Sequence, residues 1–150
     1  MNKIKIVTPN EKDNLFEMFN TYMHELAQFD PTIKFKNNIV KYKWFNNYFV
    51  DKDRFAFYFV NNNTIAGFAL IRQIECDKFE IAEFYVDPQF RQNNNSLWFA
   101  NSVVDLFKGE FQFCTRCENV RAIKFWDKFV LNKQLIKSLI ENDNKHWVIK

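Results

Sequence analysis

Residues 81–107, IAEFYVDPQFRQNNNSLWFANSVVDLF, followed by residues 111–129, FQFCTRCENVRAIKFWDKF, decide the fold. An apolar, aromatic-rich run ends at Val86-Asp87-Pro88 and reads as a strand over Lys78 to Val86. A polar loop carrying Arg91 and the run Asn93-Asn94-Asn95 follows. Leu97, Ala100, Val103, Val104 and Phe107 then recur on one side of a helix predicted over Asn95 to Phe107, with Gly109 as its C-cap-type stop. Phe111 to Thr115 is a second strand, and Asn119 to Phe129 a second helix. Consecutive strands joined through a helix form a parallel, right-handed crossover.

Upstream of this unit the pattern changes. Lys3 to Val7 alternates as a strand. A helix is expected from an N-cap at Asn10 to about Phe29, with Leu15, Phe16, Phe19, Tyr22, Met23 and Leu26 at helical spacing, and Asp30-Pro31 ends it. Ile39, Tyr42, Phe45 and Phe49 have the same spacing and predict a further helix over Asn38 to Phe49. Arg54 to Val60 and Thr64 to Gln73 are strands of a hairpin turned at Asn61-Asn62-Asn63. Gly67 inside the second marks a bulge or a close backbone approach. Downstream, strands at Leu135 to Ile140 and His146 to Ile149 flank Asn142-Asp143-Asn144. These elements specify an α/β (α+β) domain over residues 1–150. Its mixed, mostly antiparallel sheet has about seven strands, flanked by about four helices, with one parallel strand-helix-strand crossover.

Composition narrows the function classes. Hydrophobic content of 47%, with 19 Phe, supports a large core and excludes disorder. A formal charge of +3 without any Lys/Arg-rich block suits an anionic small ligand and points away from nucleic acid. No window is apolar enough for a membrane span, and the N-terminus has no signal-peptide pattern. With 3 Cys, an odd number, a disulfide framework is not expected, and a cytoplasmic location is. Cys114 and Cys117 have C-x-x-C spacing but no second pair, so Cys114 is assigned to the core and no metal is expected. Tyr42, Trp44, Phe45, Tyr48 and Phe49 form an aromatic face, either core or substrate wall. The chain is expected to act as a monomer or homodimer.

The loop at 91–96 enters a helix N-terminus, where free N–H groups and the helix dipole favour a bound phosphate. Arg91 offers a planar fork to the same anion. Asn93, Asn94 and Asn95 tolerate left-handed backbone better than other non-glycine residues. In its motifs this segment resembles the GNAT superfamily of acetyl-CoA-dependent N-acetyltransferases. That family has V-x-P, then x-x-[QR]-x-x-G-x-[GA] into a helix, and later N-x-x-A-x-x-[FL]-[YW]. Here the first block is Val86-Asp87-Pro88 to Ser96, with Arg91 at the [QR] position. Asn94 and Ser96 stand where the family prefers glycine or alanine. The second block is Asn119, Ala122, Phe125 and Trp126. A subgroup of predicted acetyltransferases with A-E-F-[FY]-V before the loop is similar at Ala82 to Val86.

The resemblance implies acetyl transfer from acetyl-CoA, without a metal, to a primary amine of a small molecule or a protein. The pantetheine arm would lie between the two strands, against Phe84, Tyr85 and Val86. The pyrophosphate would sit on Arg91, Gln92, Asn93, Asn94, Asn95, Ser96 and Leu97. Asn119, Phe125 and Trp126 would line the far wall, and an N–H near Val86 would face the oxyanion. An alkyl ammonium of pKa ~10.4 must lose a proton before attack, and Glu83 is the candidate base. Trp126 occupies the position of the family's tyrosine acid, which leaves Tyr85 as the candidate donor or the thiolate unassisted. His24, Glu25 and Glu83 would meet the amine. The alternative is a GNAT-fold protein with weakened or absent catalysis, serving as a CoA-binding or interaction module.

Overall fold

The computed structural model describes residues 1–150. Strands β1 (Asn2–Ile6), β4 (Arg54–Asn61), β5 (Thr64–Glu75), β6 (Lys78–Val86), β7 (Glu110–Arg116), β8 (Leu135–Glu141) and β9 (Asn144–Ile149) form one sheet in the order β1-β4-β5-β6-β7-β9-β8. Every pairing is antiparallel except β6 with β7. Helices α2 (Asn95–Val104) and α3 (Val120–Val130) cover one face, and α1 (Lys12–Leu26) covers part of the other. Strand alternation divides the core accordingly. Phe57, Phe59, Phe111, Phe113 and Trp147 face the α2/α3 side, while Tyr58, Phe68, Leu70 and Tyr85 face Leu15, Phe19, Tyr22 and Met23 of α1.

The entry to α1 departs from the expected cap. Thr8, not Asn10, forms the capping box with Glu11, ahead of a short 3₁₀ turn over Pro9–Glu11. The larger departure is at Asn38 to Phe49, which is not an α-helix. Strands β2 (Phe35–Lys36) and β3 (Ile39–Val40) form a small hairpin, followed by a 3₁₀ helix over Phe45–Phe49. Asn38 has φ of 63°, which cannot start a right-handed helix. The side chain of Asn20 on α1 accepts from the Val40 amide at 2.8 Å and donates to the Asn38 carbonyl at 3.0 Å, so tertiary contacts fix the hairpin. The apolar spacing still buries Phe45 and Tyr48, because a 3₁₀ turn also returns every third residue to one face. The chain thus has three α-helices where about four were expected.

Two further corrections concern the end of α2 and the burial of Cys114. α2 stops at Val104, so Phe107 and Gly109 lie beyond it. Gly109 is needed for another reason: at φ of 147° its backbone passes Asp77, whose carbonyl oxygen would lie 2.1 Å from any added Cβ. Cys114 is exposed on β7 and not in the core. Gly67, in contrast, is a close approach as expected, since a Cβ there would meet the Tyr85 carbonyl oxygen at 2.2 Å.

Asparagine does the work that glycine does in most chains. With 2 Gly in the sequence, the two-residue hairpin turns use Asn37-Asn38, Asn62-Asn63 and Asn142-Asp143, all at φ between 48° and 67°. Asn93 and Asn94, at 60° and 58°, make the same turn of the backbone in the loop before α2.

Candidate active site

β6 and β7 pair only over Lys78–Glu80 with Glu110–Gln112 and then diverge. A cavity of about 340 Å³ opens in the gap, walled by β6 from Ile81 to Val86, the start of α2, α3, and the C-terminal turn of α1. Beyond Glu80 the β6 edge has no β7 partner, so backbone groups on that edge are available to an extended ligand.

A bulge aims the one carboxylate on this wall. Leu70 of β5 opposes Glu83 while Ile71 opposes Ile81, so Ala82 is an extra residue. The insertion reverses the alternation. Ile81 points to the α2/α3 side, yet Glu83 points to α1 and Phe84 returns to the aromatic cluster of Phe99, Phe125 and Trp126. Glu83 is partly buried and reaches the cavity. The Tyr22 hydroxyl donates to Oε1 at 2.7 Å and the Tyr42 hydroxyl to Oε2 at 3.0 Å. Burial pushes the Glu83 carboxyl up to about 7, the phenol hydrogen bonds pull it partly back, and the charges of Glu80 and Asp30 add to the rise. The same burial and the Glu83 charge drive both phenols well above their ordinary range. Behind them Tyr48 is pushed up to about 12 by burial and by Glu83, and its buried hydroxyl has no hydrogen-bond partner.

The other wall is built for negative charge. Asn94 is the N-cap of α2 in left-handed conformation, and its side chain makes no capping bond. The backbone amides of Ser96 and Leu97 have no acceptor in the protein, and both residues face the cavity. Lys128 of α3 reaches Asn94 Oδ1 at 3.4 Å, and Arg121 stands at the α3 start, so cations frame the opening.

The residues singled out in the sequence separate clearly. Glu25, Glu83, Phe84, Tyr85, Val86, Arg91, Asn94, Ser96, Leu97, Asn119, Phe125 and Trp126 line the cavity. Gln92, Asn93, Asn95 and His24 do not. Asn95 is buried in a carboxamide chain, accepting from Asn2 at 3.1 Å and donating to the Phe90 carbonyl at 3.1 Å. His24 stacks on Phe35 with ring centroids 4.1 Å apart and bonds the Asn38 carbonyl, a contact that secures the small hairpin. Asn119 caps α3, accepting from the Ala122 amide at 3.2 Å. Arg91 donates from Nε to the Val86 carbonyl at 2.7 Å and from Nη2 to both oxygens of Glu25, at 2.9 and 3.1 Å. Trp126 is buried against Phe84, Phe113 and Phe129. Tyr85 packs on Tyr22 and Phe68 under the Arg91 guanidinium, its phenol raised first by burial and then by Asp87 and Glu25.

Sequence reasoning missed Tyr22 as a site residue and left Tyr42 in an aromatic face. The usable signal was chemical contrast: among 19 Phe, each of the 5 Tyr brings a hydroxyl that needs a partner when buried.

Residues 14–130 match the family model for the acetyltransferase (GNAT) family. No curated protein matches the chain. Among solved structures, an acetyltransferase of the GNAT family from Streptococcus agalactiae superposes with a TM-score of 0.72 at 16% identity, covering 99% of this chain and 95% of its own. The PaiA N-acetyltransferase of Thermoplasma acidophilum in complex with coenzyme A gives 0.69 at 14% identity, with coverage of 100% and 99%. Spermidine N-acetyltransferase of Vibrio cholerae, in complex with CoA and spermine, gives 0.69 at 12% identity, with coverage of 99% and 94%. At such identities the likeness is one of fold.

Proposed function

The chain belongs to the acetyltransferase (GNAT) family, and on that premise we propose that it transfers an acetyl group from acetyl-CoA to a primary amine by direct attack in a ternary complex. One observation carries this reading. The Glu83 carboxylate and the acceptor-free amides of Ser96 and Leu97 open onto the same gap between β6 and β7. The residues fit the co-substrate. The amides of Ser96 and Leu97, at the positive end of α2, suit the diphosphate, and the unpaired edge of β6 suits the pantetheine amides. Asn94 supplies the left-handed backbone for which the family uses glycine.

When bound, acetyl-CoA supplies the thioester carbon that a neutral amine attacks. Glu83 provides the neutral amine. With its carboxyl raised to about 7, it is ionised at pH 8, yet far more basic than an ordinary carboxylate. Tyr22 and Tyr42 fix both oxygens of that carboxylate and compensate its burial. Of the two phenols on the cavity wall, Tyr22 already donates to Glu83, which leaves Tyr85 to donate to the departing sulfur, since Trp126 offers only an indole N–H. The aromatic cluster around Phe84 gives the gap an apolar wall. A second reading, a CoA-binding module without transfer, is favoured by Trp126 in the tyrosine position.

The test is thiol release from acetyl-CoA with polyamines and with peptides bearing free amino groups. The spermine-bound neighbour motivates the first class. Release with at least one acceptor, reduced about 100-fold or more in Glu83→Gln, is expected. Binding of acetyl-CoA with no transfer to any of these amines would favour the module.

A further inference from the structure

We infer that Glu25 is an electrostatic latch: it holds Arg91 and Arg121 until the phosphates of CoA replace it, and the carboxylate so released then receives the ammonium of the acceptor. This inference rests on the acetyltransferase reading and adds to it a competition between an internal carboxylate and the co-substrate for the same two arginines.

The geometry is a single carboxylate shared by two guanidinium groups from different elements. Arg91, on the loop before α2, contacts both Glu25 oxygens through Nη2 at 2.9 and 3.1 Å. Arg121, in the first turn of α3, contacts Oε1 at 3.2 Å. All three residues line the cavity, so the cluster ties α1 to both halves of the anion-binding wall. Arg91 is further anchored by its Nε bond to the Val86 carbonyl, so it stays at the cavity when Glu25 leaves. Arg121, with a side chain 68% exposed, is free to swing.

Charge favours both steps of the exchange. The guanidinium N–H groups that donate to the Glu25 carboxylate can donate equally to phosphate oxygens. A dianionic or trianionic ligand entering beside the free Ser96 and Leu97 amides would crowd Glu25 with like charge and repel it. Glu25 also sits in the last turn of α1, where the helix dipole disfavours an anion. Stripped of its two arginines, it needs a new cation, and the amine acceptor on the Glu83 side brings one. With the arginines in place Glu25 is neutralised and offers the amine little.

Calorimetric titration of CoA itself into the full chain, Glu25→Gln, Arg121→Gln and the double variant tests the latch. Because Glu25 competes for both arginines, Glu25→Gln is expected to bind CoA about threefold to tenfold more tightly than the unaltered chain. Arg121→Gln is expected to weaken binding more in the Glu25→Gln background than alone, since only in the unaltered background does losing Arg121 also remove a bond to Glu25. Equal or weaker CoA binding by Glu25→Gln, with the unaltered chain binding, would overturn the latch and leave the acetyltransferase reading standing. Absence of CoA binding in both would overturn that reading and the latch with it. Melting curves for each variant check that the cavity remains folded, and the exposed Arg121 keeps the cycle interpretable if Glu25→Gln destabilises α1.

Discussion

Glu83 is held by two phenols in a setting that disfavours its charge, and this gives it opposing effects on activity and stability. Its folded carboxyl lies near 7, against an ordinary value of 4.5. Between those values the unfolded chain has released this proton and the folded chain has kept it. Stability from this group therefore falls as pH rises through the window, by roughly 3 kcal/mol in all. Activity moves the other way, because the base must be unprotonated. Glu83→Gln is thus expected to melt several degrees higher than the unaltered chain at pH 8 and close to it at pH 4.5, while losing transfer at pH 8, where the unaltered base is ionised. A lower melting point at pH 8 would show that the ionised Glu83 stabilises the fold. The phenols are tested separately. Removing the Tyr42 hydroxyl with Tyr42→Phe deletes a bond that favours the carboxylate. The acidic limb of the pH–rate profile should move up by about one unit. An unmoved limb would mean that another group controls it.

At the level of elements, the loop before α2 and the bulge in β6 decide what the site can hold. Asn94 at φ of 58° tolerates the left-handed region, whereas a β-branched residue there does not. Asn94→Val should cost roughly 1–2 kcal/mol in denaturant unfolding and weaken CoA binding, while Asn94→Gly should preserve both. If Val is accommodated without loss, the loop does not need this conformation to bind. The loop also shows what the sequence could convey. Its asparagines announced a left-handed turn because their chemistry is local, and the strand-helix-strand order followed from hydrophobic period alone. Lys78 to Val86 was legible to the residue. The false helix at Asn38 to Phe49 came from a spacing that a 3₁₀ turn also satisfies, with the deciding bonds made by Asn20, far away in sequence. The same limit hid the partners of Glu83 and the Glu25–Arg91 pair. Tyr22, Tyr42 and Glu25 reach the cavity only through packing between elements distant along the chain. The bulge at Ala82, which turns Glu83 toward α1, has no local signature in the string Ile81-Ala82-Glu83-Phe84.

For the whole molecule, the divergence of β6 from β7 is an opening in an otherwise continuous sheet, and a ligand that bridges it should stabilise the fold. Both core clusters border the gap, one through Phe84 and Trp126 and the other through Tyr22 and Tyr85. Ligand concentrations near 100 times Kd contribute about 2.7 kcal/mol, which for a domain of this size raises Tm by roughly 5–10 °C. The cation frame of Arg91, Arg121 and Lys128 should make that binding weaken with added salt. The most direct measurement is a titration of acetyl-CoA into the full chain, followed by calorimetry and by melting temperature. Saturable one-to-one binding with a Tm that climbs with ligand concentration is the predicted result. No heat of binding and an unchanged Tm at about 1 mM acetyl-CoA would contradict the account.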